Sequence, residues 1–214
     1  MSFNYKHIIW DWNGTLIDDA LLCLEIINEV LSKRGAPKIT YNTYLEHFDF
    51  PVKDFYEKIG FDFSREPFHV PADEYIKEYD NRSIQCKLQP GATEILSHFQ
   101  DAGLLQSILS ASKQKSIEQA VEHYSLKAFF KHIYGLADHY ANGKIEIAKE
   151  FIKNIGLAKN EIVIIGDTSH DYKVASALNI DCILIQGGHQ DKKRLESCGV
   201  PVLDTISDLK SLLA

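Results

Sequence analysis

The sequence predicts an α/β protein: a parallel sheet covered by helices on both faces, with a helical unit inserted after the first strand. Three observations carry this reading. From Pro90-Gly91 onward, short runs rich in Ile, Val and Leu alternate with stretches of helical period, the pattern of a sheet built from β-α-β units. A lone apolar run, His7-Ile8-Ile9-Trp10, precedes everything else and has to join that sheet. Residues 40 to 82 show helical spacing only and are dense in Tyr and Phe, which suits a small helical unit packed on aromatic rings.

The first strand ends at Asp11, and the turn-forming pair Asn13-Gly14 follows at once. An amphipathic helix is expected over about 18–34. Ala20, Cys23, Leu24, Ile27, Val30 and Leu31 lie on one face, and Gly35 and Pro37 end it. Short helices follow on Tyr41, Tyr44, Leu45 and Phe48, then on Val52, Phe55, Tyr56 and Ile59 behind Pro51. A third carries Ala72, Tyr75, Ile76 and Tyr79. Beyond Gly91, strands are expected at 104–109, 133–134, 162–165 and 182–185, with helices between them and a last helix from about 206. The division is thus 1–16 with 89–214 as the sheet domain, and 17–88 as the insertion.

A chain of 214 residues and 24.3 kDa folds to a surface of roughly 10,000 Å² against roughly 35,000 Å² unfolded, so no metal or disulfide staple is required. With 45% hydrophobic and 25% charged residues it is neither collagen-like, coiled-coil nor disordered. A net charge of −7 without a Lys/Arg-dense stretch argues against nucleic acid as a partner. Cys23, Cys86, Cys182 and Cys198 form no CxxC and no zinc spacing; the first three sit in or beside apolar runs and read as reduced core residues. No apolar leader and no apolar run of about 20 residues is present, so the expectation is a cytoplasmic protein without a membrane partner, monomeric or homodimeric.

Ligands of parallel sheets bind at the carboxyl ends of strands. Three such ends carry chemistry: Asp11 with Trp12-Asn13-Gly14-Thr15; Ser110 with Ala111-Ser112-Lys113; and Gly166-Asp167-Thr168-Ser169-His170-Asp171. Asn142-Gly143-Lys144 opens a helix between the last two. Clustered carboxylates repel one another unless a cation sits among them, and Mg²⁺ with a substrate phosphate is the economical occupant. A carboxylate beside such a site can attack phosphorus and form an aspartyl-phosphate. Gly14 would let backbone amides approach the oxyanion.

In order, Asp11-Trp12-Asn13-Gly14-Thr15-Leu16, Ser110, Lys144 and Gly166-Asp167 with Asp171 resemble the four motifs of the haloacid dehalogenase-like hydrolase superfamily. The inserted helical unit is similar to the cap of its phosphoglycolate-phosphatase and phosphoglucomutase-like branch, on a Rossmann-like core. The resemblance implies Asp11 as nucleophile and metal ligand, and Asn13 giving its backbone carbonyl to Mg²⁺. It implies Ser110 and Lys144 on the phosphoryl group, Asp167 as metal ligand, and Asp171 orienting Lys144 or a metal-bound water. Thr15 and Ala111 would line the substrate site. In the cap, Lys53 on the stretch His47 to Lys53 is the candidate to meet the substrate.

One departure matters. Phosphatases of the superfamily carry a second Asp where this chain has Asn13, and Asn cannot exchange a proton. His170 is then the expected substitute base. Aryl phosphates should outpace alkyl phosphates, and Asn13→Asp should raise alkyl turnover. The function expected is a Mg²⁺-dependent phosphatase on a small phosphorylated metabolite. Alternatives are a phosphonatase- or dehalogenase-type carbon-bond hydrolase, the former needing a cap lysine such as Lys53, and a phosphoryl-ligand binding protein with little turnover.

Overall fold

The computed structural model describes residues 5–136 and 144–212. Eight strands are present among them: β1 His7–Trp10, β2 Ile17–Asp18, β3 Lys87–Leu88, β4 Leu105–Lys113, β5 His132–Leu136, β6 Ile162–Gly166, β7 Asp181–Ile185 and β8 Val202–Leu203. The helices are α1 Ala20–Ser32, α2 Tyr41–His47, α3 Val52–Lys58, α4 His69–Arg82, α5 Ala92–Asp101 and α6 Gln114–His123. They continue with α7 Lys144–Ile155, α8 Ser169–Leu178, α9 Lys192–Glu196 and α10 Leu209–Leu212. Six strands form a parallel sheet in the order β5-β4-β1-β6-β7-β8, so the α/β reading holds.

β1 sits inside this sheet, pairing with β4 on one side and β6 on the other. Its neighbours diverge there: the chain runs outward through β4 and β5 on one side and through β6, β7 and β8 on the other. That divergence is the switch point, where the carboxyl ends leave a crevice. The four residues of β1 are all buried, and their period of two splits them between layers. Ile8 and Trp10 join a cluster with Leu96, Phe99 and Ile165 under α5, while Ile9 joins one with Phe151, Ile164 and Val174 under α7 and α8. A buried polar chain ties Trp10 to this layer: its indole Nε1 donates to Gln106 at 3.1 Å, and Gln106 donates to the Leu96 carbonyl at 2.9 Å.

A third apolar cluster draws its buried residues from 23–61, with Phe68, Tyr75 and Tyr79 packed against it. No strand of the six-stranded sheet comes from this stretch. α1 buries Ala20, Cys23, Ile26, Ile27, Val30 and Leu31; Ile26 takes the inward place assigned to Leu24, which is half-buried. The chain leaves and re-enters through β2 and β3, a two-residue antiparallel pair joining Ile17 to Leu88 and Asp18 to Lys87. Two residues are too few to show alternation, so sequence periodicity passes over them. β4 also runs four residues beyond its predicted end, with a register shift between Leu109 and Lys113 after which Lys113 pairs with Leu136 of β5. All four cysteines are free thiols; Cys23 and Cys182 are buried, whereas Cys86 is only half-buried, as is Cys198. Among the described residues no helix is long and apolar enough to cross a membrane.

Candidate active site

β1 delivers Asp11, whose backbone N–H continues the ladder by donating to the Ile165 carbonyl at 2.8 Å. β6 delivers Asp167 one residue past its end. Asp171 enters from the first turn of α8, and Lys144 from the first residue of α7. Lys144 Nζ lies 2.5 Å from Asp11 Oδ1 and 2.6 Å from Asp171 Oδ1, with all three side chains out of solvent. The neighbouring Lys149 is instead exposed and paired with Glu146 at 2.8 Å. Asp171 does two things at once: Oδ1 holds Lys144, while Oδ2 accepts from the Thr168 amide at 3.1 Å and hydroxyl at 2.7 Å.

The carboxylates of Asp11, Asp167 and Asp171 offer oxygens within 4.8 Å of one another. Burial pushes the Asp11 carboxyl well up; Lys144 opposes this, and Asp171 and Asp167 add to it. Burial likewise lifts Asp167 to about 6, against the pull of His189 and with the push of Asp171. Burial works against the charges of Lys144 and Asp171 too, but Asp11 and then Asp171 outweigh it for the ammonium, which is held above its ordinary range, and Lys144 outweighs it for the Asp171 carboxyl, held below. One lysine against three buried carboxylates leaves a negative pocket of hard oxygen donors, which fits Mg²⁺.

Thr15 is buried and donates its hydroxyl to Asp167 Oδ1 at 2.9 Å, so it positions that carboxylate and is not on the cavity wall. Asp167 Oδ2 accepts from the His189 backbone amide at 2.7 Å. Gly14 has φ +73°, and a Cβ there would collide with Asp167 and His189. Its amide does not face an open oxyanion site but donates to Asp19 Oδ1 at 2.8 Å. Ser110 is buried, receives the Ser112 amide at 3.1 Å, and reaches Asn13 Oδ1 at 3.4 Å; Ala111 and Ser112 line the cavity above Asp11.

Asn13 is held at both ends of its amide. Nδ2 donates to Asp19 Oδ2 at 2.7 Å and to the Tyr79 hydroxyl at 2.6 Å, and Oδ1 accepts from the Ser112 hydroxyl at 2.7 Å. Asp19, wholly buried, is the hub of this network: it also accepts from Tyr79 at 2.6 Å and pairs with His189 Nε2 at 3.2 Å. The other His189 nitrogen meets the Tyr44 hydroxyl at 2.7 Å. Burial disfavours the imidazolium, but Asp19 outweighs it and raises His189 to about 9. Burial also disfavours the Asp19 carboxylate, and His189 outweighs it, holding that carboxyl below its ordinary range.

Sequence reading missed Asp19, Ser112, His189 and Tyr79. Asp19 looks like a helix N-cap after Asp18, yet its side chain makes no cap bond; His189 looks like the end of a Gly187-Gly188 turn. The available signal was Asn13 itself, where the resemblance leads one to expect a carboxylate and so invites a search for one nearby. His170 and Lys53 stand apart from the cavity lining. The His170 ring packs against Phe50 in a tilted contact with centroids 4.5 Å apart, and burial, aided by Lys144, lowers its pKa to about 4. Lys53 is half-exposed, 3.8 Å from Glu57 and 5.8 Å over the Phe63 ring. Asn142 and Gly143 lie outside the described residues.

Fold and site together define a parallel-sheet protein with an aspartate–lysine centre at its switch point. A sequence model described as haloacid dehalogenase-like hydrolase matches residues 8–185, and the chain belongs to that family. It is 24% identical over 204 residues to a 5'-nucleotidase of Pseudomonas aeruginosa, covering 92% of this chain and 89% of that one. It is 22% identical over 211 residues to tyrosine-protein kinase PtkA of Mycobacterium tuberculosis, covering 96% of this chain and 72% of that one. Among solved structures, a haloacid dehalogenase-like family protein from Streptococcus pneumoniae superimposes with a TM-score of 0.86 at 17% identity, covering 99% of each chain.

Proposed function

We propose that the protein is a Mg²⁺-dependent phosphomonoester hydrolase of the phosphoglycolate-phosphatase branch, acting on a small phosphorylated metabolite, with residues 17–88 as its cap. The observation that carries this is Lys144 clamped between Asp11 and Asp171 beside Asp167, at the floor of one cavity. The likeness to a 5'-nucleotidase supports the phosphatase reading.

In this reading Asp11, Asp167 and the Asn13 backbone carbonyl would hold Mg²⁺, with Asp171 beside them, and the ion would supply positive charge to offset that of the phosphoryl group. Lys144 and Ser110 hold the transferring group, and Asp171 keeps Lys144 aimed. A carboxylate oxygen of Asp11 attacks phosphorus and the P–O ester bond breaks, its electron pair leaving on the ester oxygen. Water then displaces Asp11 from phosphorus, restoring the carboxylate and releasing phosphate, and a proton shed by that water ends on the departed ester oxygen. Asn13 contributes orientation and no proton, so an alcohol that leaves as a stable anion is favoured. The phosphonatase alternative gains nothing here: no lysine of residues 17–88 lines the cavity.

The test is phosphate release from a panel of phosphomonoesters, with and without Mg²⁺, by the wild type and Asp11→Asn. Release that needs Mg²⁺ and vanishes in the variant is expected. Release that survives Asp11→Asn, or absence of release from every ester, would sink the proposal.

A further inference from the structure

The cavity above Asp11, of about 200 Å³, has two unlike ends. Its floor is the charged centre of Asp11, Lys144 and Asp171. Its walls come from residues 23–80 and are aromatic and aliphatic, with Phe48, Phe55, Phe68, Tyr75 and Ile76 among them. The single charged group that this stretch puts on the lining is an anion, Asp80, which accepts from Ser116 at 3.1 Å. Lys113, on the sheet side, and His189, whose imidazolium is paired with Asp19, are the lining cations besides Lys144 among the described residues. Two of the tyrosine hydroxyls around the chamber are already committed, Tyr44 to His189 and Tyr79 to Asp19. What the walls present to a ligand is therefore ring faces and edges, with few spare hydrogen-bonding groups for sugar hydroxyls.

From this we infer that the leaving group accepted by the site is a single aromatic ring, making the substrates aryl phosphomonoesters; the inference rests on the phosphatase reading above. An apolar cavity of about 150 Å³ holds benzene, so the chamber has room for one ring bonded to a phosphoryl group on the floor. Aromatic walls favour such a ring through stacked and edge contacts as well as burial. The floor agrees independently. Asn13 has both ends of its amide bonded and no proton to give, a defect that an aryl oxide tolerates and an alkoxide does not. Glycolate or a polyol would place a carboxylate or hydroxyls against rings and would still need the missing proton.

The experiment is calorimetric binding of three non-hydrolysable probes in the presence of Mg²⁺: phenylphosphonate, methylphosphonate and phosphonoacetate. It reads recognition without needing turnover. Burying one ring is worth roughly a 10- to 100-fold gain, so phenylphosphonate should bind at least about tenfold tighter than methylphosphonate. Ala72→Phe, which fills the chamber from α4, should collapse that preference; the wild-type series stands by itself if the variant does not fold. Equal affinity for phenyl- and methylphosphonate, or tighter binding of phosphonoacetate, overturns the aryl assignment and leaves the phosphatase reading standing. Binding of none of the three overturns the phosphoryl site, and the aryl assignment with it.

Discussion

Asn13→Asp would put a second carboxylate where the Asn13 amide now donates to Asp19, 2.7 Å away. Two unit charges with centres about 4 Å apart repel by about 4 kcal/mol at an effective dielectric near 20, or about three pH units for one proton. The pair would then share one proton, its upper titration lifted from an ordinary value near 4 to about 7. A carboxyl whose folded pKa is raised contributes stability that is complete below the unfolded value and lost as pH rises through the folded one. Asn13→Asp should therefore cost little at pH 5, where a shared proton replaces the lost N–H donor. At pH 8 it should cost about 4 kcal/mol, a fall in Tm of roughly 8–16 °C for a chain of this size. The double variant Asn13→Asp/Asp19→Asn, which exchanges amide and carboxylate, should recover most of that loss. The gain in alkyl phosphatase turnover expected of Asn13→Asp then belongs at pH 8 to the double variant and not to the single one. Thermal melts at pH 5 and pH 8 decide it: a single variant that melts like the wild type at pH 8, or a double variant that rescues nothing, would refute the Asn13–Asp19 compensation.

Three further outcomes are expected. Lys144→Met strands Asp11 and Asp171 without their cation and should cost about 3–5 kcal/mol without Mg²⁺, whereas Lys149→Met should change nothing; denaturant titrations compare them. His189, raised from 6.5 to about 9 by Asp19 against its burial, supplies stability that is whole below pH 6.5 and lost by pH 9. His189→Gln should remove about 3 kcal/mol of difference between those two pH values, and a variant as pH-dependent as the wild type would contradict the ion pair. Lys53→Ala should leave KM for phosphomonoesters within about twofold, because that ammonium is exposed beside Glu57 and off the cavity wall; a tenfold rise would place it on the substrate.

The sheet was legible in the sequence because buried parallel strands are continuous apolar runs, and β1, β6 and β7 could be located from Ile and Val alone. Strand ends then pointed to Asp11, Ser110 and Asp167, since the carboxyl edge of such a sheet is where chemistry gathers. Lys144 and Asp171 were named from order along the chain and from resemblance. That Lys144, and not Lys149, joins Asp11 to Asp171 is set by the phase of α7, which turns one lysine inward and the other to Glu146 and water.

Other features needed the fold. Asp19 is eight residues from Asp11, His189 comes from the loop after β7, and Tyr79 and Tyr44 lie on two helices between α1 and β3. No local pattern links them, and only packing closes the hydrogen bonds that hold Asn13. His170, between Asp167 and Asp171 in sequence, is turned by α8 onto Phe50 instead. Helical spacing in 40–82 showed that rings pack together but not that they wall a cavity, because period gives the buried face of each helix and not the space left between helices. Sequence by itself thus determined which strand ends carry charge; the tertiary structure decided which of those charges meet, since contact depends on the orientation of elements far apart in the chain.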